Sequence, residues 1–70
     1  MMPVTFAEIG ETRIIRKISG KDAVRQHLAE LGLTVDGKVT VVNKAAGSVI
    51  LQIKNSRIAL DRSLAQRIMV

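Results

Sequence analysis

The 70-residue chain contains no cysteine, tryptophan or tyrosine, and its single aromatic residue is Phe6. Without cysteine, neither disulfide bonds nor thiolate metal sites can stabilise so small a fold. Without more aromatic side chains, the core has to be built from Ile, Val and Leu, which favours strands with one packed face. No apolar run approaches the roughly 20 residues of a membrane-spanning helix, and no leader is visible, so we expect a cytoplasmic protein.

Negative charge is scarcer than positive charge in this chain. Eleven Lys and Arg residues stand against six Asp and Glu residues, which gives a net charge of +5. Such an excess is typical of proteins that meet an acidic partner, an anionic membrane surface or nucleic acid. The basic residues are spread along the chain without a run, so a solvated surface with a positive bias also explains them.

The first half of the chain predicts one strand and one helix. Residues 12–18 are rich in β-branched and apolar side chains, as in a strand. An inserted helix is predicted over about residues 21–31, because the spacing of Val24, Leu28 and Leu31 forms one apolar stripe.

Both ends of this helix carry sequence signals. Ser19 resembles an N-cap, and Asp22 completes an approximate capping box. At the other end Leu31 is the expected C-cap. Gly32 is then a structural turn residue, because the position directly after a C-cap usually needs a positive φ. In this kind of cap Leu33 packs back on the helix, which gives it a structural reason to be apolar.

The second half predicts a three-strand meander, a short C-terminal helical turn over about residues 62–67 and a closing strand. Asp36 and Gly37 form a turn that aims the chain into the first of these strands, and Asp61 is the expected cap of the helical turn. The strands are placed at residues 38–43, 49–54, 57–60 and 68–70. This order predicts one mainly β domain over residues 1–70, a small closed barrel with short helices and few open edges.

No catalytic constellation is visible, so we expect a protein that is not an enzyme. The carboxylates do not cluster along the chain, and the glycines are isolated, so they form no phosphate-binding loop. His27 lies three residues before Glu30 on the predicted helix, a spacing that could offer two metal ligands. A stable site usually needs about three or four protein ligands, so we expect no cofactor and only weak divalent metal binding.

Nucleic-acid binding by a free-standing basic barrel is the alternative function. Readers of single strands rely on aromatic stacking platforms, which Phe6 alone cannot supply. A reader of duplexes is expected to gather its Lys and Arg residues on one element, and no such element is visible. We therefore expect a protein partner rather than nucleic acid.

Four stretches of the chain together resemble the FeoA family, small cytoplasmic accessory proteins of bacterial ferrous iron uptake. The most specific stretch is a run of the form L-x-x-L-G-L that ends the helix, followed by a glycine one place later than the commonest spacing. The four stretches are residues 8–11, 28–33, 36–42 and 58–70, and the resemblance extends over residues 3–70.

The resemblance implies an SH3-like barrel with helical insertions. It also implies a partnership with a FeoB-type membrane iron transporter, whose cytoplasmic part is a GTPase domain. The protein would then be peripheral to the membrane through its partner, and its oligomeric state is open. The same domain type occurs at the C-terminus of some metal-dependent repressors, behind a DNA-binding domain that is not present in this sequence.

The predicted docking surface lies at the end of the helix and in the turn that follows it. The helix cap explains Leu33 but not Val35, and an apolar side chain in a turn beside a rigid helix is typical of a partner site. The alternative is that Val35 folds under the barrel, since small cores recruit loop residues. The docking residues are predicted to be Arg25, Leu31, Leu33 and Val35.

Overall fold

The structure, a computed structural model, describes residues 1–70 and contains six strands and two short α-helices. The strands are β1 (Thr12–Ile14), β2 (Lys17–Ile18), β3 (Lys38–Ala45), β4 (Ser48–Ile53), β5 (Ser56–Asp61) and β6 (Ile68–Met69). The helices are α1 (Asp22–Glu30) and α2 (Arg62–Ala65), and a 3-10 helix spans Val4–Phe6. None of the helices has the length and apolar composition that crossing a bilayer would require.

The strands form two antiparallel sheets. The larger sheet has the order β1-β3-β4-β5, and the smaller one pairs β2 with β6. In β4 the side chains of Val49, Leu51 and Ile53 are buried and alternate with half-buried ones, as the period-two pattern of the sequence predicts. A bulge between Val41 and Asn43 shifts the β3–β4 register, and such a shift bends a sheet.

One aliphatic core fills the space between the two sheets and the helices. It comprises 15 buried apolar residues, and both helices and five of the six strands contribute to it. Phe6 does not belong to this core, because its side chain is 72% exposed. The prediction of an Ile, Val and Leu core in a mainly β fold is therefore confirmed.

The single strand predicted over residues 12–18 is wrong, because the chain changes sheets within it. β1 pairs with β3, but Ile15, the residue after β1, bonds to the turn that precedes β3. Its N–H donates to the carbonyl of Gly37 at 2.9 Å, and its carbonyl accepts from Asp36 N–H at 2.8 Å. One residue later, Arg16 N–H donates to the carbonyl of Met69 at 2.7 Å. This change of partner explains why Ile15 and Ile18, three residues apart, are both buried.

The predicted capping box at the start of α1 is also wrong. The N-cap is Lys21, and no side chain caps the helix. Ser19 instead continues the pairing of the smaller sheet, since its N–H donates to the carbonyl of Arg67 at 2.8 Å. At α2 the predicted cap is present: Asp61 Oδ1 accepts from Leu64 N–H at 2.9 Å and from Ser63 Oγ at 2.7 Å.

Candidate docking site

The end of α1 has a complete Schellman motif. Leu33 N–H donates to the carbonyl of Leu28 at 3.0 Å, and Gly32 N–H donates to the carbonyl of Ala29 at 2.9 Å. Leu31 is the C-cap in helical conformation, and Gly32 follows with a φ of +95°. These bonds satisfy carbonyl groups that the helix end would otherwise leave without partners.

Gly32 is required for a second reason that lies outside the helix. A Cβ atom built at this position would lie 2.7 Å from Cδ1 of Ile53, at the end of β4. The end of β4 therefore approaches the helix end closely, and a side chain at position 32 would have to displace the terminal methyl group of Ile53.

The turn after the cap is fixed by backbone bonds on two sides. Gly37 N–H donates to the carbonyl of Thr34 at 3.0 Å, and both Asp36 and Gly37 are bonded to Ile15 as described above. The residue with left-handed backbone is Asp36, with a φ of +72°, rather than Gly37. Aspartate tolerates this conformation better than most residues, and a Cβ at Gly37 would lie 3.0 Å from the carbonyl oxygen of Thr34.

The predicted docking residues do not all lie on the surface. Val35 is 52% exposed, whereas Leu33 is fully buried in the core and cannot contact a partner. Leu31 is half-buried and packs against the core, so it offers a partial surface. Arg25 is exposed on α1 and forms an ion pair with Asp22 on the same helix. The structure therefore removes Leu33 from the predicted set and leaves Val35 as its exposed apolar member.

A groove of about 500 Å³ lies between α1 and this turn. Ala29 and Val35, both exposed, contribute apolar side chains to its lining, and Ile18 in the same lining is almost fully buried. Arg25 lines it on the helix side, and Lys17 of β2 lies in the lining as well. Asp22 also lines the groove and is paired with Arg25, whereas Lys17 forms no ion pair within the chain, so Lys17 gives the groove its unpaired positive charge. The sequence did not identify Lys17, because only the β2–β6 pairing places it beside α1.

His27 and Glu30 do not gain a third ligand in the fold. Both side chains are exposed on α1, and no group of three or more His, Asp or Glu side chains that could hold a metal ion is formed. The pair is thus short of the ligand number that a stable site usually has. Weak divalent metal binding stays a prediction.

Two further exposed apolar side chains, Phe6 and Ile9, were not assigned from the sequence. Ile9 is 58% exposed and lies in a turn that Gly10 completes with a φ of +90°. Glu11 N–H closes this turn on the carbonyl of Glu8 at 3.0 Å. The signal that could have identified it is the order Glu-Ile-Gly-Glu, in which a turn isolates an apolar residue from the alternation of any strand.

Comparison with known proteins gives consistent matches over the whole domain. The FeoA domain family matches residues 2–70. A protein of Methanocaldococcus jannaschii named Putative Fe(2+) transport protein A is 39% identical over 70 residues, which is 100% of this chain and 85% of that protein. A crystal structure described as the iron uptake regulatory protein FeoA superposes with a TM-score of 0.86 at 28% identity, over 96% of this chain and 89% of the other.

A manganese-dependent transcriptional repressor shares the fold alone. It superposes with a TM-score of 0.87 at 22% identity, over 94% of this chain but only 38% of the repressor. The predicted SH3-like barrel and the predicted resemblance are therefore confirmed.

Proposed function

Because the chain belongs to the FeoA family of ferrous iron transport accessory proteins, we propose that it docks on the cytoplasmic part of a FeoB-type membrane iron transporter. In this role it is a cytoplasmic binding module that supports assembly of the transporter or its GTPase-linked transport. The family is not a known enzyme family, and docking requires no catalytic residue. The ferrous ion is the cargo of the transporter rather than a cofactor of this protein.

The observation that carries the proposal is the exposed side chain of Val35 in a fixed turn. Binding normally has a cost in free energy, because side chains and loops lose freedom when they are ordered at an interface. The turn around Val35 is already held to Ile15 and Thr34 by backbone bonds of 2.8 to 3.0 Å, so most of that ordering is complete before a partner arrives. A preorganised apolar side chain of this kind is a suitable anchor for an interface.

The charges around the groove indicate the chemistry of the partner surface. Lys17, Asp22 and Arg25 line the groove, and the last two form an ion pair, so Lys17 is its unpaired charge. The chain as a whole carries a net charge of +5. Complementary charges at the rim of an interface increase the association rate and the specificity more than the affinity. We therefore propose that the transporter contributes an apolar side chain next to a carboxylate, with the apolar group against Val35 and the carboxylate towards Lys17.

The test is the substitution Val35→Ser, measured by calorimetric titration with the purified cytoplasmic domain of the transporter. We expect binding to weaken roughly 5- to 30-fold, since truncation of an interface anchor costs about 1–2 kcal/mol. The thermal midpoint should shift by less than about 4 °C, because exposed substitutions change the free energy of unfolding by about 0.5 kcal/mol or less.

Ile9→Ser is the matched control. Ile9 is an exposed apolar residue in another fixed turn, with 58% exposure against 52% for Val35. Binding that is weakened by Ile9→Ser and not by Val35→Ser would move the docking surface to the Phe6 and Ile9 side. Tight binding of a DNA duplex at physiological salt, with a steep salt dependence and no binding of the transporter domain, would favour the nucleic-acid alternative.

A further inference from the structure

The strand β5 is an edge of the larger sheet, and its free side has a defined pattern. A two-residue turn joins Ile53 to Ser56, so these residues form a hydrogen-bonded antiparallel pair. Alternation along the strand then directs the backbone groups of Ser56, Ile58 and Leu60 towards β4. The backbone groups of the residues between them point away from the sheet; these residues are Arg57, Ala59 and Asp61.

Most of this free side is uncovered. No backbone hydrogen bond made by turns, loops and caps involves Arg57 or Ala59, and the N–H of Asp61 makes none either. The carbonyl of Asp61 is the N-cap carbonyl of α2 and accepts the first bond of that helix. No side chain bonds to their backbone, and all three residues are exposed. An edge with unpaired N–H and C=O groups is a template for pairing with another strand.

We propose that β5 pairs in antiparallel orientation with β5 of a second copy of this chain, about a two-fold axis at Ala59. In this register Ala59 lies opposite its own copy, and Arg57 lies opposite the partner's Asp61. Ala59 then exchanges both backbone hydrogen bonds with its copy, and the N–H of Asp61 donates to the carbonyl of the partner's Arg57. The two four-stranded sheets become one continuous sheet.

The side chains on this edge favour that register over the others. Arg57, Ala59 and Asp61 alternate with the inward Ile58 and Leu60, so they share one face of the sheet. Opposite charges directly across an antiparallel pair stabilise it, and like charges destabilise it. A shift by two residues loses both charge pairs, because Arg57 or Asp61 then lies opposite Ala59, and a shift by four places Arg57 opposite Arg57 or Asp61 opposite Asp61. The small side chain at the axis leaves both charge pairs room to form.

The charged groups are available without disturbing the fold. Asp61 Oδ1 accepts the two bonds that cap α2, which leaves Oδ2 free. Arg57 Nε donates to Gln52 Oε1 at 2.8 Å, which leaves both terminal nitrogens of the guanidinium free. The symmetry of the sequence Arg57-Ile-Ala59-Leu-Asp61 about its centre is the reason to assign a second copy, rather than a strand of another protein, as the occupant.

The first test uses the absence of cysteine from the chain, because a single introduced thiol is then unique. Hydrogen-bonded antiparallel pairs have Cα atoms about 5.5 Å apart, within the range of roughly 4.4–6.8 Å that disulfides span. Ala59→Cys should therefore form a covalent dimer on mild oxidation, seen on a non-reducing gel. Asn55→Cys is the control on the same hairpin, because its two copies would be about 25 Å apart in the proposed register. Equal cross-linking of both variants, or of neither, would overturn the proposal.

The second test is sedimentation equilibrium over a wide concentration range. The wild-type chain should show a reversible monomer–dimer equilibrium, and Arg57→Glu should raise the dimer dissociation constant at least tenfold, since it places a glutamate opposite the partner's Asp61. Lys54→Glu makes a comparable charge reversal outside the pairing and should leave the constant within a factor of two. Asp61→Asn keeps a capping side chain, removes the charge and should weaken the dimer several-fold. A wild-type chain that stays monomeric to millimolar concentration, or a dimer indifferent to Arg57→Glu, would contradict β5 pairing.

Discussion

The two connections that flank β3 each contain a glycine with positive φ, but the surroundings of the two glycines differ. The connection before β3 contains Gly32 with a φ of +95°, and the hairpin turn after β3 contains Gly47 with a φ of +80°. A Cβ atom at Gly32 would lie 2.7 Å from Cδ1 of Ile53, whereas a Cβ atom at Gly47 would meet nothing within 4 Å. Positive φ favours glycine in both connections, but only at Gly32 would an added Cβ also have to displace a neighbouring atom.

The attachments of the two connections differ in the same way. The first is bonded to Ile15 and places Leu33 in the core, so it cannot move without disturbing the barrel. The second is attached to the start of α2, where Arg62 N–H donates to the carbonyl of Gly47 at 3.1 Å. The first connection can therefore hold Val35 in a fixed position for a partner, whereas the second is attached to α2 and has open space around Gly47.

The largest expected effect is that of Gly32→Ala. The substitution adds backbone strain of about 1–3 kcal/mol and overpacking of about 1–3 kcal/mol against Ile53, so the free energy of unfolding should fall by about 2–6 kcal/mol. Urea denaturation followed by circular dichroism measures it. A loss below about 1 kcal/mol would show that the hairpin moves aside freely.

Leu33→Ala should have the next largest effect. Truncating a fully buried leucine leaves a cavity and costs about 2–5 kcal/mol, whereas Val35→Ala, two residues later on the surface, should cost about 0.5 kcal/mol or less. Parallel urea titrations of the two variants compare the inner and outer sides of the same connection. Similar losses for both would mean that Val35 belongs to the core in solution.

Gly47→Ala should cost only the strain of left-handed backbone, about 1–3 kcal/mol as at Gly32, because no atom obstructs the new methyl group. The difference between Gly32→Ala and Gly47→Ala then isolates the contribution of packing against Ile53. If both variants lose the same free energy of unfolding, the positive φ alone accounts for the loss and the close approach of Ile53 contributes nothing to it.

The smallest expected effect concerns acid stability at the start of α2, to which the second connection is attached. The backbone N–H of Leu64 and then the hydroxyl of Ser63 hold the pKa of Asp61 below its ordinary value of 3.8. Because the folded pKa is depressed, the stabilisation is present above about 3.8 and is lost as the pH falls through the folded pKa. Asp61→Asn keeps a capping oxygen but does not titrate, so its thermal midpoint should fall less steeply with acid. Identical acid profiles for the two proteins would exclude Asp61 as a contributor.

The interpretation of the sequence was most accurate where one element carries its own signal. Alternating side chains located β3 and β4, and the L-x-x-L-G-L run located the end of α1. It failed between Ile14 and Lys17, where the chain changes sheets and no local pattern marks the change of partner. It also failed at Ser19, because a serine near a helix start resembles a cap whether or not a distant carbonyl competes for its backbone.

For the candidate site, the sequence indicated that Val35 has no role in the helix cap, but it could not separate Val35 from Leu33. Both are apolar and lie in the same connection; only the core decides that Leu33 is fully buried and Val35 is 52% exposed. Lys17 lies in the groove because β2 pairs with β6. The two strands are far apart in the sequence, so no local pattern indicates this pairing.

The sequence by itself determined the aliphatic core, the strand periodicity, the glycine after α1, the cap of α2 and the family. These features depend on residues a few positions apart, whose geometry is fixed by local backbone rules. Tertiary structure alone decided that the terminal methyl group of Ile53 lies close to Gly32, that Ser19 bonds to Arg67, and that β5 is left as an edge strand. Contacts of this kind join residues far apart in the chain, and they form because the whole barrel has to close around one small core.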